Sequence, residues 1–103
     1  MNPNQNHPEY RKKRDFAFKL AVALTAAKPH LTCCYDVFDK FNSTFSRAIK
    51  HPDITTDVRG NRLIEGDEYI VVFCQNGHQY FINVSGDSLM SMGEQLFKHM
   101  LGK

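Results

Sequence analysis

Asn76-Gly77 separates two eight-residue runs, Glu68-Tyr-Ile-Val-Val-Phe-Cys-Gln75 and His78-Gln-Tyr-Phe-Ile-Asn-Val-Ser85. No other feature of the chain narrows its fold so far. Asn and Gly tolerate the positive φ that a tight reversal demands, and the flanking β-branched and aromatic residues suit a pleated surface. The segment therefore reads as an antiparallel hairpin. With a two-residue loop, Gln75 lies opposite His78, Phe73 opposite Tyr80, Val71 opposite Ile82 and Tyr69 opposite Val84, all on one face. The other face carries Ile70, Val72, Cys74 and Phe81 with Gln79 and Asn83, and is only half apolar. The first face is expected to take the helices. The second is either partly covered or offered to a partner.

The rest of the chain is arranged around this hairpin. Pro8 suits the first turn of a helix, with Asn6 or His7 as its cap and Glu9 beside the positive end of the dipole. Phe16, Leu20, Ala23, Leu24 and Ala27 recur at helical spacing until Lys28-Pro29 stops the run. Leu31, Cys34, Phe38, Phe41, Phe45, Ala48 and Ile49 continue the period as far as His51-Pro52, so a second helix and an antiparallel helical hairpin are expected. Ile54 to Arg59 and Arg62 to Glu65, punctuated by Gly60-Asn61 and Gly66-Asp67, read as short strands and turns. Gly86-Asp87-Ser88 opens a last helix in which Leu89, Met92, Gly93, Leu96 and Met100 share a face, ending at Gly102. The expected fold is α+β in the order ααββ(β)βα. An N-terminal antiparallel helical hairpin, a three- or four-stranded antiparallel β-meander and a C-terminal helix make it up, with the helices packed on one sheet face. Residues 1–7 read as a flexible N-terminal tail and residues 8–103 as a single α+β domain.

Eight Phe and four Tyr supply large buried areas, so a core is attainable without a disulfide or a metal. The apolar stretch from Phe16 to Ala27 contains Lys19 and is shorter than the roughly 20 residues of a membrane span, so no membrane association is expected. The polar start lacks the layout of a secretory signal. Of the three cysteines, Cys33 and Cys34 are adjacent, which suits free thiols. Both features point to a cytoplasmic protein.

Gly86-Asp87-Ser88-Leu89, at a strand-to-helix junction, resembles the nucleophile motif of the GDSL esterases and lipases. Membership implies a considerably longer chain and an Asp-x-x-His motif near its C-terminus. No Asp-x-x-His occurs in this sequence, and His99 lies too far along the same helix to act as the base for Ser88. The tetrapeptide reads instead as a helix cap. Zinc needs four converging ligands. His30 with Cys33 and Cys34 supplies one group, but Cys74 and His78 point to opposite faces if the loop has two residues, and only a longer or bulged loop would bring them together. No metal, cofactor or catalytic residue is therefore assigned.

Charge is polarised although the net value is only +2. Residues 1–30 hold Arg11, Lys12, Lys13, Arg14, Lys19 and Lys28 against Glu9 and Asp15, whereas acids outnumber bases after residue 53. Arg11, Lys12, Lys13 and Arg14 form a basic cluster that could contact phosphates, although successive residues splay around a helix. Apolar residues also exceed what one small core can bury. Phe18 and Val22 on the first helix, Val37 on the second, Ile70, Val72 and Phe81 on the sheet, and Phe97 and Leu101 on the last helix all lie off the main faces. The expected function is that of a non-enzymatic binding or regulatory module of accessory or mobile-element type. It would contact another protein, or a second copy of itself, through Ile70, Val72, Phe81 and Phe97 or the outer sides of the helices. Nucleic-acid association through the basic first helix is the alternative. A small ligand-binding domain or enzyme is the third reading, with His78, Tyr80 and Cys74 as the residues to inspect.

Overall fold

A computed structural model describes residues 7–101, so residues 1–6 of the expected N-terminal tail and the helix end expected at Gly102 lie outside the described residues. Helix α1 runs Pro8–Ala27, strand β1 Leu31–Val37, a 3-10 turn Ser43–Phe45, helix α2 Ser46–Lys50, strand β2 Glu68–Cys74, strand β3 Gln79–Asn83 and helix α3 Leu89–Met100. The three strands form one antiparallel sheet in the order β1-β2-β3. The architecture is α+β.

Both long helices begin where the sequence places their signals, and α1 also ends there. Pro8 opens α1, and the His7 Nδ1 accepts the Glu9 backbone N–H at 3.1 Å. Lys28 is extended (φ −136°, ψ 91°), as the residue before Pro29 must be. At α3 the Ser88 Oγ accepts the Ser91 N–H at 3.2 Å, so Ser88 is the helix cap. The buried face of α1 is made by Tyr10, Lys13, Ala17, Leu20 and Leu24. Phe16 is only half-buried, and Ala23 and Ala27 are exposed.

The expected second helix is corrected. Leu31–Val37 is a strand, and of the expected helix only Ser46–Lys50 is helical. Both periods were present in these residues. Leu31, Cys34 and Phe38 fit a helix, but Leu31, Cys33 and Tyr35 alternate, and those are the residues buried. Pairing decides between them, because β1 supplies a hydrogen-bonded neighbour to the otherwise bare edge of β2, with Leu31 opposite Cys74 and Tyr35 opposite Ile70. Side-chain oxygens then turn the chain. Asp39 Oδ1 accepts the Phe41 N–H at 2.7 Å, and Asn42 Oδ1 accepts the Thr44 N–H at 3.0 Å. The strand pair expected between residues 54 and 65 shrinks to one bridge, Thr56 to Arg62. It surrounds a turn in which Asp57 Oδ1 accepts both the Arg59 and Asn61 amides.

The β2–β3 hairpin is present, with its register shifted by one residue. Its loop is Gln75-Asn76-Gly77. The Gly77 N–H donates to the Cys74 carbonyl at 3.0 Å, the Cys74 N–H donates to the His78 carbonyl at 2.9 Å, and Gly77 takes φ +85°. Gly77 remains the last residue of the loop, which has three residues instead of two and a single left-handed position. Val71 consequently faces Phe81, not Ile82, and Ile70 faces Ile82. A slip of one residue exchanges the faces of one strand relative to the other. Ile70, Val72, Ile82 and Val84 now share a face with Leu31, Cys33 and Tyr35, beneath α1 and α3. Tyr69, Val71 and Phe81 share the opposite face with Phe45 and Ala48.

Both faces of the sheet are therefore covered by the chain itself, which corrects the expectation that the helices pack on one face only. Ile70 and Val72 are 0% exposed and Phe81 1%. Phe97 is half-buried against the first core cluster. Ile70, Val72 and Phe81 are core, and a contact surface built on these sheet residues has nothing to present.

Candidate functional site

Register and covering together shape the turn end of the sheet. There the C-terminal ends of α1 and α3, the start of β1, the β2–β3 turn, α2 and the segment 54–58 surround a cleft of about 870 Å³. The segment 54–58 is held beside β3 by the Val58 N–H, which donates to the Phe81 carbonyl at 2.9 Å. Its neighbour Thr55 is buried, and the Thr55 N–H donates to the His51 carbonyl at 3.1 Å.

Three buried side-chain atoms among the described residues have no hydrogen-bond partner: Thr55 Oγ1, Gln79 Oε1 and His99 Nε2. They come from the 54–58 segment, β3 and α3, and all three residues line this one cleft. A buried polar atom left unpaired costs about 1–3 kcal/mol, so native structures hold few of them. Gln79 is anchored at its other end, where Nε2 donates to the Thr44 carbonyl at 3.3 Å. Burial, and then the cations Arg59 and Lys98, hold His99 below the usual histidine pKa, against the opposing pull of Asp57. The ring is neutral at neutral pH and presents a hydrogen-bonding nitrogen without a charge.

The same walls carry Lys28, His30, Arg47 and His78, with Asp57 as the acid among them. His78 meets Tyr80 edge to face, with ring centroids 4.6 Å apart. Cys74 also lines the cleft, and the three-residue loop sets it across from His78, reversing the parity that had separated them. Even so, no group of three His, Cys, Asp or Glu side chains is gathered for a metal among the described residues. Burial raises the Cys74 thiol, and it pushes Cys33 up to about 12 and Cys34 to about 11, with Cys34 adding to the first and Asp36 to the second. A nucleophilic cysteine needs the opposite shift. The raised thiols do not suit thiol catalysis.

The basic cluster on α1 is divided. Lys13 is buried and its Nζ donates to Glu68 Oε1 at 2.6 Å, where Tyr35 Oη also donates at 2.8 Å. Arg11, Lys12 and Arg14 are exposed, with Lys12 3.8 Å from Glu9 and Arg14 3.7 Å from Asp15. A four-residue phosphate contact is corrected to three residues at most, because Lys13 points into the fold.

Of the residues singled out from sequence as candidates, His30, Cys74, His78, Tyr80 and Phe81 are brought to the cleft. Sequence reasoning gives Thr55, Gln79 and Arg47 no role, counts Lys28 only in the charge balance and weighs His99 only as a base for Ser88. They lie up to 71 residues apart, between Lys28 and His99, so no local spacing announces them. No helix among the described residues is long and apolar enough to cross a membrane. Compared with protein-family models, with curated proteins and with solved structures, the chain matches none.

Proposed function

We propose that this chain is a binding module whose working site is the cleft at the turn end of the sheet, and that it recognises a small polar ligand. One observation carries the reading. Three residues from three separate elements, each with a buried polar atom that has no partner, line one cleft of the size that small ligands occupy. Polar groups converging on a concave surface are what such a site needs, and their lack of internal partners leaves their hydrogen-bonding capacity for a guest. A ligand reaching Thr55, Gln79 and His99 does so with small side-chain rotations, since the three atoms are closed to solvent in the unliganded fold.

The test is a screen of small neutral and charged fragments against the ¹⁵N-labelled protein. Saturable amide shifts clustered at Thr55, Gln79 and His99 are expected from several fragments. Hits scattered over the surface, or none, would remove the reading.

Contact with another protein, or with a second copy, is favoured by one further observation. Phe18 and Val22, one turn apart on the outer side of α1, are 69% and 71% exposed. The same spectra report this reading, as concentration-dependent shifts around Phe18 and Val22 without any fragment.

A further inference from the structure

The character of the cleft narrows the ligand further. The ion pairs among the described residues are Lys12–Glu9, Lys13–Glu68 and Arg14–Asp15. Lys28 and Arg47, on opposite sides of the sheet end, are half-buried in the walls and belong to none of them. Asp57, the acid of the lining, is already committed. It is 7% exposed, and its Oδ1 accepts two backbone N–H groups of its own turn. Among the described residues, the cleft is thus lined by two cations without partners and one acid that its own turn holds. Half-buried cations without counter-ions lose hydration and gain nothing in return unless an anion arrives. Arginine's planar fork matches the paired oxygens of a carboxylate or phosphate.

We infer that the ligand is a small oxyanion, a carboxylate or phosphate compound, drawn by the cations Lys28 and Arg47 of the cleft walls while Thr55, Gln79 and His99 meet its polar remainder. This rests on the cleft being the binding site, as proposed above. The neutral His99 adds a contact that does not compete with the two cations for the charge. Gln79 Oε1 accepts only, so the remainder of the ligand presents at least one hydrogen-bond donor.

Calorimetry with inorganic phosphate and with citrate tests this, against chloride at matched ionic strength. Saturable binding of at least one of the two anions is expected, and the one that binds identifies the acid group. Arg47→Gln should weaken it at least tenfold, and the double variant Lys28→Gln/Arg47→Gln should abolish it, with circular dichroism unchanged. Equal responses to all three salts, or binding that survives the double variant, would overturn the inference. Neutral fragments that occupy the cleft when both anions fail would overturn it too and leave the binding cleft standing. Failure of fragments and anions together would remove both.

Discussion

Replacing Phe45 by alanine should cost the fold about 3–5 kcal/mol, the range seen when a fully buried aromatic is truncated. Phe45 is 0% exposed and closes the second face of the sheet. Its ring stacks on Phe81 at 6.0 Å and 17°, and meets Phe38 edge-on at 5.1 Å and Tyr69 at 6.0 Å. Truncation removes the apolar area of the ring and leaves a cavity that three other rings line. A domain of this size has a total stability of about 5–15 kcal/mol, so the variant should lose a large share of it. Urea denaturation measures the loss. A cost under about 1 kcal/mol would mean that this face is not closed by the chain, and Phe81 would return as a contact residue.

The second large effect is electrostatic. Lys13→Met should destabilise by about 3–5 kcal/mol, because Glu68 would keep its charge in a site that has lost its cation. Lys13 is 7% exposed, and the carboxylate oxygen it meets also accepts the Tyr35 hydroxyl, itself 2% exposed. Glu68→Gln alone should also be costly, since it leaves the Lys13 ammonium buried and unpaired. The double variant Lys13→Met/Glu68→Gln should recover most of the loss, because a neutral amide oxygen can still accept from Tyr35. Denaturation midpoints of the four proteins complete the cycle. A single-variant loss below about 1 kcal/mol would show the pair behaving like an exposed salt bridge, and Lys13 would rejoin Arg11, Lys12 and Arg14 as a surface cation.

These two experiments address the places where sequence and structure part company, and the reasons are physical. The cap and stop of α1 and the cap of α3 were legible because they depend on neighbours in the chain: Pro8 with His7, Lys28 before Pro29, Ser88 before Leu89. The hairpin was legible for the same reason. Its register was not, because Asn-Gly serves a two-residue loop and the end of a three-residue loop equally well. Which one forms depends on what the strands pack against. Leu31–Val37 satisfied two periods at once, and periodicity cannot arbitrate over seven residues. The choice came from β2, whose Ile70, Val71 and Val72 are buried on both faces and hydrogen-bonded on both edges. An uninterrupted apolar run of that kind is the mark of a central strand, and it was the available hint that the sheet had a third member and a covered second face. The cleft lay further out of reach. His78 and Tyr80 stand out side by side at the hairpin tip, but Thr55 and Gln79 are ordinary polar residues until folding buries their side-chain oxygens without partners.

The claim that the cleft walls hold polar groups unpaired for a guest is tested most directly at Thr55. Valine keeps the shape and the β-branch and removes only the hydroxyl. If the hydroxyl is buried and unpaired, Thr55→Val should stabilise the unliganded protein by about 1 kcal/mol and raise its midpoint of thermal unfolding by about 4–8 °C. A loss of stability of similar size would mean that the hydroxyl is already satisfied within the unliganded fold, and the cleft would lose the observation on which its function rests.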